Sequence, residues 1–196
     1  MTQKLTSSAL SLMALAFLGG CGVQSIPTQL NEVDATWAEV QNQYQRRADL
    51  VPNLVEVVKG YAKHEKETLE GVIAARASAT QVKLDAKDLT PENLEKFEKA
   101  QNQLKGSLSR LMVVAEQYPE LKANQNFRDL QVQLEGTENR ITIARQRYIE
   151  SVKGFNNLIS VFPTSLTNSL LFHHAKKPQF AATESAASGK VPEVKF

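Results

Sequence analysis

Apolar side chains recur along most of this chain at alternating intervals of three and four. Val33, Trp37, Val40, Tyr44, Val51, Val55, Val58, Ala62, Leu69 and Ile73 fall in one narrow sector of a helical wheel at about 100° per residue. Sustained for about six heptads, this seam predicts one long amphipathic helix that needs a partner helix to cover it. At its centre lies the stretch from Gln45 to Glu70, with a proline inside it. Pro52 has no N–H to give the carbonyl of Ala48 and its ring crowds that oxygen, so a kink or short break is expected between Ala48 and Pro52.

The periodicity lapses from Ser78 to Leu89, where Asp85, Lys87 and Asp88 mark a solvated connection. Thr90-Pro91-Glu92 then supplies a hydroxyl N-cap, a proline where the missing N–H costs nothing, and an acid in the first turn. The helix it opens has its seam at Leu94, Phe97, Gln101, Leu104, Leu108, Leu111, Ala115 and Tyr118. Glu92 with Lys96 and Glu95 with Lys99 add i,i+4 pairs worth about 0.2–0.5 kcal/mol each. Pro119 stops this helix, and a turn through Leu121 and Asn124 leads to a third seam. That seam runs Leu130, Leu134, Thr137, Ile141, Ala144, Tyr148, Val152, Phe155, Ile159 and Phe162, and Pro163 ends it. Leu166 to Phe172 forms a short further piece. Three long helices with matching seams and few strand signals predict an all-α fold, an antiparallel bundle of three long helices plus short helical pieces.

Four polar blocks interleave with these seams: RRADLVPNLV (Arg46 to Val55), KGYAKHEKETLE (Lys59 to Glu70), YPELKANQNFRDLQ (Tyr118 to Gln131) and QLEGTENRI (Gln133 to Ile141). In this order they resemble the signature blocks of the LemA family, and the similarity extends to the terminal VPEVKF. The resemblance implies a helical bundle attached to a membrane, with no established enzymatic activity.

The chain begins with one basic residue, Lys4, an apolar run from Leu10 to Leu18 and then Leu18-Gly19-Gly20-Cys21. These are the marks of a secretory signal over residues 1–20, and leucine followed by two small residues and a cysteine adds a bacterial lipobox. Cys21 is the only cysteine, so acylation there is the favoured reading over a free thiol, an intermolecular disulfide or an uncleaved anchor. The apolar run falls short of the roughly 20 residues that span a bilayer. In this the chain departs from the usual family pattern of an N-terminal transmembrane helix. Several acyl chains on Cys21 would bind a membrane stably. Gly22 stands where an aspartate would signal inner-membrane retention, so in a cell with two membranes the expected location is the periplasmic side of the outer one. Residues 21–28 read as a lipidated tether, 29–172 as the bundle and 173–196 as a flexible tail, with docking by Phe180 or Phe196 left open.

Without residues 1–20 the chain carries 22 basic and 21 acidic side chains, a balance that gives no electrostatic footprint for nucleic acid. No cofactor motif appears. His64 and Glu65 open HEKET, which lacks the second histidine of HExxH, and the adjacent His173 and His174 would point about 100° apart on a helix. Neither pair makes a metal site. Glu56, Glu65, Glu135 and Glu138 could in principle form a carboxylate cluster, but the Glu-x-x-His motifs of di-metal bundles are missing and a solvated face is the simpler reading. No residue is assigned a catalytic role.

The mid-helix glycines do not fit so plain a reading. On one continuous helix Gly60 and Gly71 would lie within about 20° of each other and nearly opposite the seam, while Gly136 and Gly154 share a direction of their own. Each costs about 1 kcal/mol relative to alanine. Arg46, Asp49, Asn53, Glu56, His64 and Glu67 fall in the same outward half as Gly60. These eight positions, Gly60 and Gly71 included, form a candidate surface for a protein partner or a second copy, with tolerated exposed glycines as the alternative. The function expected is a noncatalytic, lipid-anchored helical adaptor or scaffold at the bacterial envelope. A lipid-binding or membrane-remodelling bundle, or an enzyme with an unrecognised site, are the alternatives.

Overall fold

The structure, a computed structural model, describes residues 22–180. The signal segment, Cys21 and residues 181–196 with Phe196 lie outside the described residues. Three long helices carry the architecture: α1, Ser25–Tyr61, 37 residues; α3, Pro91–Ala115, 25 residues; and α5, Gln125–Ser160, 36 residues. The shorter α2, Lys66–Gln81, returns from α1 to a connection that holds a 3-10 turn at Ala86–Asp88. A five-residue α4, Pro119–Ala123, joins α3 to α5, and α6, Thr164–Thr167, runs into a π turn at Asn168–Phe172. The helices run alternately up and down, and no strand occurs among the described residues. This is the all-α antiparallel bundle that the three seams predict.

The seams are covered as their spacing requires. Val33, Trp37, Val40 and Tyr44 pack with Phe97, Ile141, Tyr148 and Phe155 in one apolar cluster. Val51, Leu54, Val55 and Val58 pack with Val72, Leu104, Leu111, Phe127 and Leu134 in a second. Trp37, Tyr148 and Phe155 are fully buried, the role their spacing assigns them. The α3 start forms as its residues dictate: Thr90 Oγ1 accepts from Asn93 N at 3.2 Å and Lys96 reaches Glu92 at 2.8 Å.

Several expectations are corrected. First, the chain does not break at Pro52. The α1 helix runs through it and ends at Tyr61, and the seam read as continuous to Ile73 is cut by a turn over Ala62–Glu65. Beyond the turn the buried face is Leu69, Val72, Ala75 and Ala79, and Ile73 is exposed. The proline is accommodated from outside its own helix, because Nε of Arg76 on α2 donates to the orphaned Ala48 carbonyl at 2.8 Å. Second, the connection after α2 is only half solvated. Leu84 and Leu89 are buried, and the Leu84 carbonyl accepts from Trp37 Nε1 and Gln41 Nε2, both at 2.8 Å, while Asp85, Lys87 and Asp88 stay exposed. Third, residues 22–28 are no free tether: Ile26 is fully buried and helical structure is already present at Gly22.

Fourth, the tail docks as far as the structure describes it. Phe180 is buried against Trp37 and Tyr148, with ring centroids at 6.1 and 5.4 Å, and the Arg145 guanidinium lies 4.2 Å from its centroid. Asn156 clamps the backbone of Lys177 through two hydrogen bonds of 2.8 and 2.9 Å, and Tyr148 Oη donates to the Pro178 carbonyl at 3.0 Å. Burial at this junction pushes the Tyr148 phenol above its ordinary range. Phe162 leaves the seam, because the chain becomes extended at Val161 and the side chain turns out to solvent.

Replacing Arg76 by Met should cost about 1–3 kcal/mol by leaving the Ala48 carbonyl without a partner. In a Pro52→Ala background residue 52 again has an N–H to offer, and the same replacement should cost about 1 kcal/mol less, read from a double-mutant cycle of denaturant midpoints. Phe180→Ala should destabilise by about 3 kcal/mol and shift the emission of Trp37, the chain's one tryptophan, to longer wavelength.

Candidate functional site

Between the two apolar clusters lies a layer of paired polar side chains. Arg47 occupies the gap in the first seam between Tyr44 and Val51, and its side chain is only 2 % exposed. Nη1 donates to Glu138 Oε1 on α5 at 2.7 Å, and Nη2 donates to Gln101 on α3, to the backbone carbonyl at 3.0 Å and to Oε1 at 2.8 Å. Gln101 in turn gives Nε2 to the Ala79 carbonyl of α2 at 3.2 Å. Three helices therefore meet on one guanidinium, whose rigid fork suits several acceptors at once, and Gln101 links it to a fourth. The Arg47 Nε is left unpartnered, and Glu138, one-third exposed, also lies 3.5 Å from Lys105 Nζ.

One turn toward the chain start a second cation repeats the theme. Arg145 pairs with Glu98 at 2.6 Å, donates to Tyr44 Oη at 3.4 Å and covers the Phe180 ring. Burial raises the Tyr44 phenol, with Arg145 and Arg47 pulling the other way. Tyr44, Arg47, Lys105, Glu138 and Arg145 line an open groove of about 420 Å³ between α3 and α5. Its carboxylate, Glu138, is held between Arg47 and Lys105.

The acids considered for a cluster are dispersed. Glu56 lies beside Lys59, Glu65 accepts from Tyr118 Oη at 3.0 Å, Glu135 accepts from Gln131, and Glu138 is held by Arg47. Among the described residues no group of three or more His, Cys, Asp or Glu could hold a metal ion. His174 stacks on Phe172 with centroids at 5.7 Å.

The eight partner-surface candidates are all exposed, but the single helix expected to carry them is divided. Arg46, Asp49, Asn53, Glu56 and Gly60 make a single stripe on α1, His64 sits in the turn, and Glu67 and Gly71 lie on α2. The break at Ala62–Glu65 removes the shared direction of Gly60 and Gly71. Gly71 instead lines a groove of about 250 Å³ with Glu67, Thr68, Ser107 and Arg110. A Cβ on Gly60 or Gly71 would meet nothing within 4 Å, whereas one on Gly154 would stand 3.2 Å from Gln29 Nε2 on α1.

The blocks containing Tyr61 to Glu65 and Tyr118 to Asn124 converge at one end of the bundle. Tyr118 joins Glu65, a contact that raises the Tyr118 phenol, and Asn124 Nδ2 donates to Tyr61 Oη at 2.9 Å. Arg47, Gln101 and Arg76 are absent from the candidates that the sequence supplies. The signal for Arg47 was there all the same: an apolar seam that skips one position needs a side chain to fill it.

An elongated bundle with a polar central layer and a motif-bearing tip is the class of protein this geometry defines. The chain belongs to the LemA family, whose family model matches residues 36–196. Comparison with curated proteins gives no match.

Removing Glu138 should harm the fold more than removing Arg47. Glu138→Ala strands a buried charge and should cost about 3–5 kcal/mol, while Arg47→Met leaves a part-exposed Glu138 with Lys105 for company and should cost less. Chemical denaturation of the two variants gives the order.

Proposed function

We propose that this LemA family member is a noncatalytic helical adaptor, held at the bacterial envelope through acylated Cys21, that offers the α1 stripe and the bundle tip to a protein partner. The observation that carries the reading is the polarity of the bundle. Gly22, next to Cys21, lies at one end, and α1 is about 55 Å long at 1.5 Å per residue. Two signature blocks meet at the other end, where His64 is exposed and Tyr61 and Tyr118 line a cleft of about 340 Å³ with Pro119. No helix among the described residues is long and apolar enough to cross a membrane.

The noncatalytic part of the reading rests on the two guanidinium groups being used structurally: Arg47 is held by Glu138 and Gln101, and Arg145 by Glu98.

Photocrosslinking probes at Asn53 and His64, in cells and with the native N-terminus intact, should give a discrete adduct identifiable by mass spectrometry. A probe at Ile143, exposed on α5, should give none. Equal adduct patterns from all three positions would sink the adaptor surface.

A further inference from the structure

At the end that carries Gly22 the surface changes character. Val23, Val161, Phe162, Leu166, Leu170 and Leu171 are between 47 % and 68 % exposed. The other large apolar side chains exposed among the described residues include Ile73, Val113, Val132 and Ile143, scattered over α2, α3 and α5. Single exposed apolar residues need no explanation, but a cluster of this kind marks a binding surface.

The cluster is held against Gly22 by a close contact. A Cβ at Gly22 would lie 2.7 Å from Cβ of Thr167, so only glycine lets the chain lie against α6 there. Thr167 is buried, while Leu166 on one side of it and Leu170 one turn later stand out in solvent. The residue after the candidate acylation site is thus seated on the segment that bears the apolar side chains.

Charge identifies the occupant. From Ser151 to Thr183 the sequence has no aspartate or glutamate, and it has Lys153, Lys176, Lys177, His173 and His174. Lys153, His173 and Lys176 are exposed. Large apolar side chains flanked by cations, with no anion among them, match the boundary between headgroups and acyl chains of an anionic bilayer.

We propose that residues 161–172 are a second membrane contact, in which Phe162, Leu166, Leu170 and Leu171 insert into the interface of an anionic phospholipid bilayer beside the acyl chains of Cys21. The orientation rests on the acylation reading; the exposed cluster and its basic flank do not. With lipid chains and apolar side chains both engaged, the bundle is mounted rigidly instead of swinging on a tether. Its tip is held away from the surface.

The test uses the full chain, purified from membranes and reconstituted into vesicles of phosphatidylethanolamine and phosphatidylglycerol. A maleimide-linked environment-sensitive fluorophore is placed on Leu170→Cys, with Val132→Cys as the control for an isolated exposed apolar site. The Leu170→Cys probe should brighten severalfold on reconstitution and be quenched by bromine-labelled lipid acyl chains, less so when phosphatidylcholine replaces phosphatidylglycerol. The Val132→Cys probe should do neither. Equal responses at the two sites would overturn the proposal. So would a Leu170→Cys probe shielded equally in detergent and in vesicles and indifferent to brominated lipid, which would assign the patch to a protein interface. The chain without introduced cysteines reports on the anchor separately: acylated Cys21 takes no label. If Cys21 does take label, acylation fails, and the same comparison made in a Cys21→Ser background still decides the patch.

Discussion

The bundle depends on a buried cation. Arg47 lies where the two apolar clusters meet, between Tyr44 of one and Val51 of the other, and its partners occupy the same boundary on their own helices. Gln101 precedes Leu104 by one turn, and Glu138 falls between Leu134 and Ile141. Removing a guanidinium from water is costly unless its donors are met, so α1, α3 and α5 have one low-energy register in which Arg47 finds both acceptors. Apolar seams of repeating three and four could slide by a heptad with little loss of burial. The polar layer resists that slide, in the way a single polar position fixes register in a coiled coil.

The same logic explains how α1 tolerates a proline. Arg76 supplies from a neighbouring helix the hydrogen bond that Pro52 cannot, and in doing so ties α2 to α1 near the central layer. A residue that would weaken an isolated helix becomes an attachment point in the bundle. Gln101 is a related case: a polar side chain at an apolar position of the α3 seam looks like a defect until Arg47 and Ala79 are placed on either side of it.

The two ends of the molecule differ in surface. One gathers Gly22 and the exposed apolar segment after α5. The other gathers the exposed turn at His64 with Tyr61 and Tyr118.

The sequence by itself determined the three long helices and most of their buried faces, because helical periodicity is a local property and each seam declares which side must be covered. It also contained the α3 cap at Thr90 and the core role of Trp37, Tyr148 and Phe155, since these rest on neighbours within a turn or on a repeating pattern. The place where the first seam breaks, the acceptors of Arg47, the donor to Ala48 and the seat of Phe180 were decided only by the tertiary structure. Each joins residues far apart in the chain, such as 47 with 101 and 138, 48 with 76, and 37 with 180. No local pattern encodes such a pairing, because it exists only once several helices have brought their side chains to the same point.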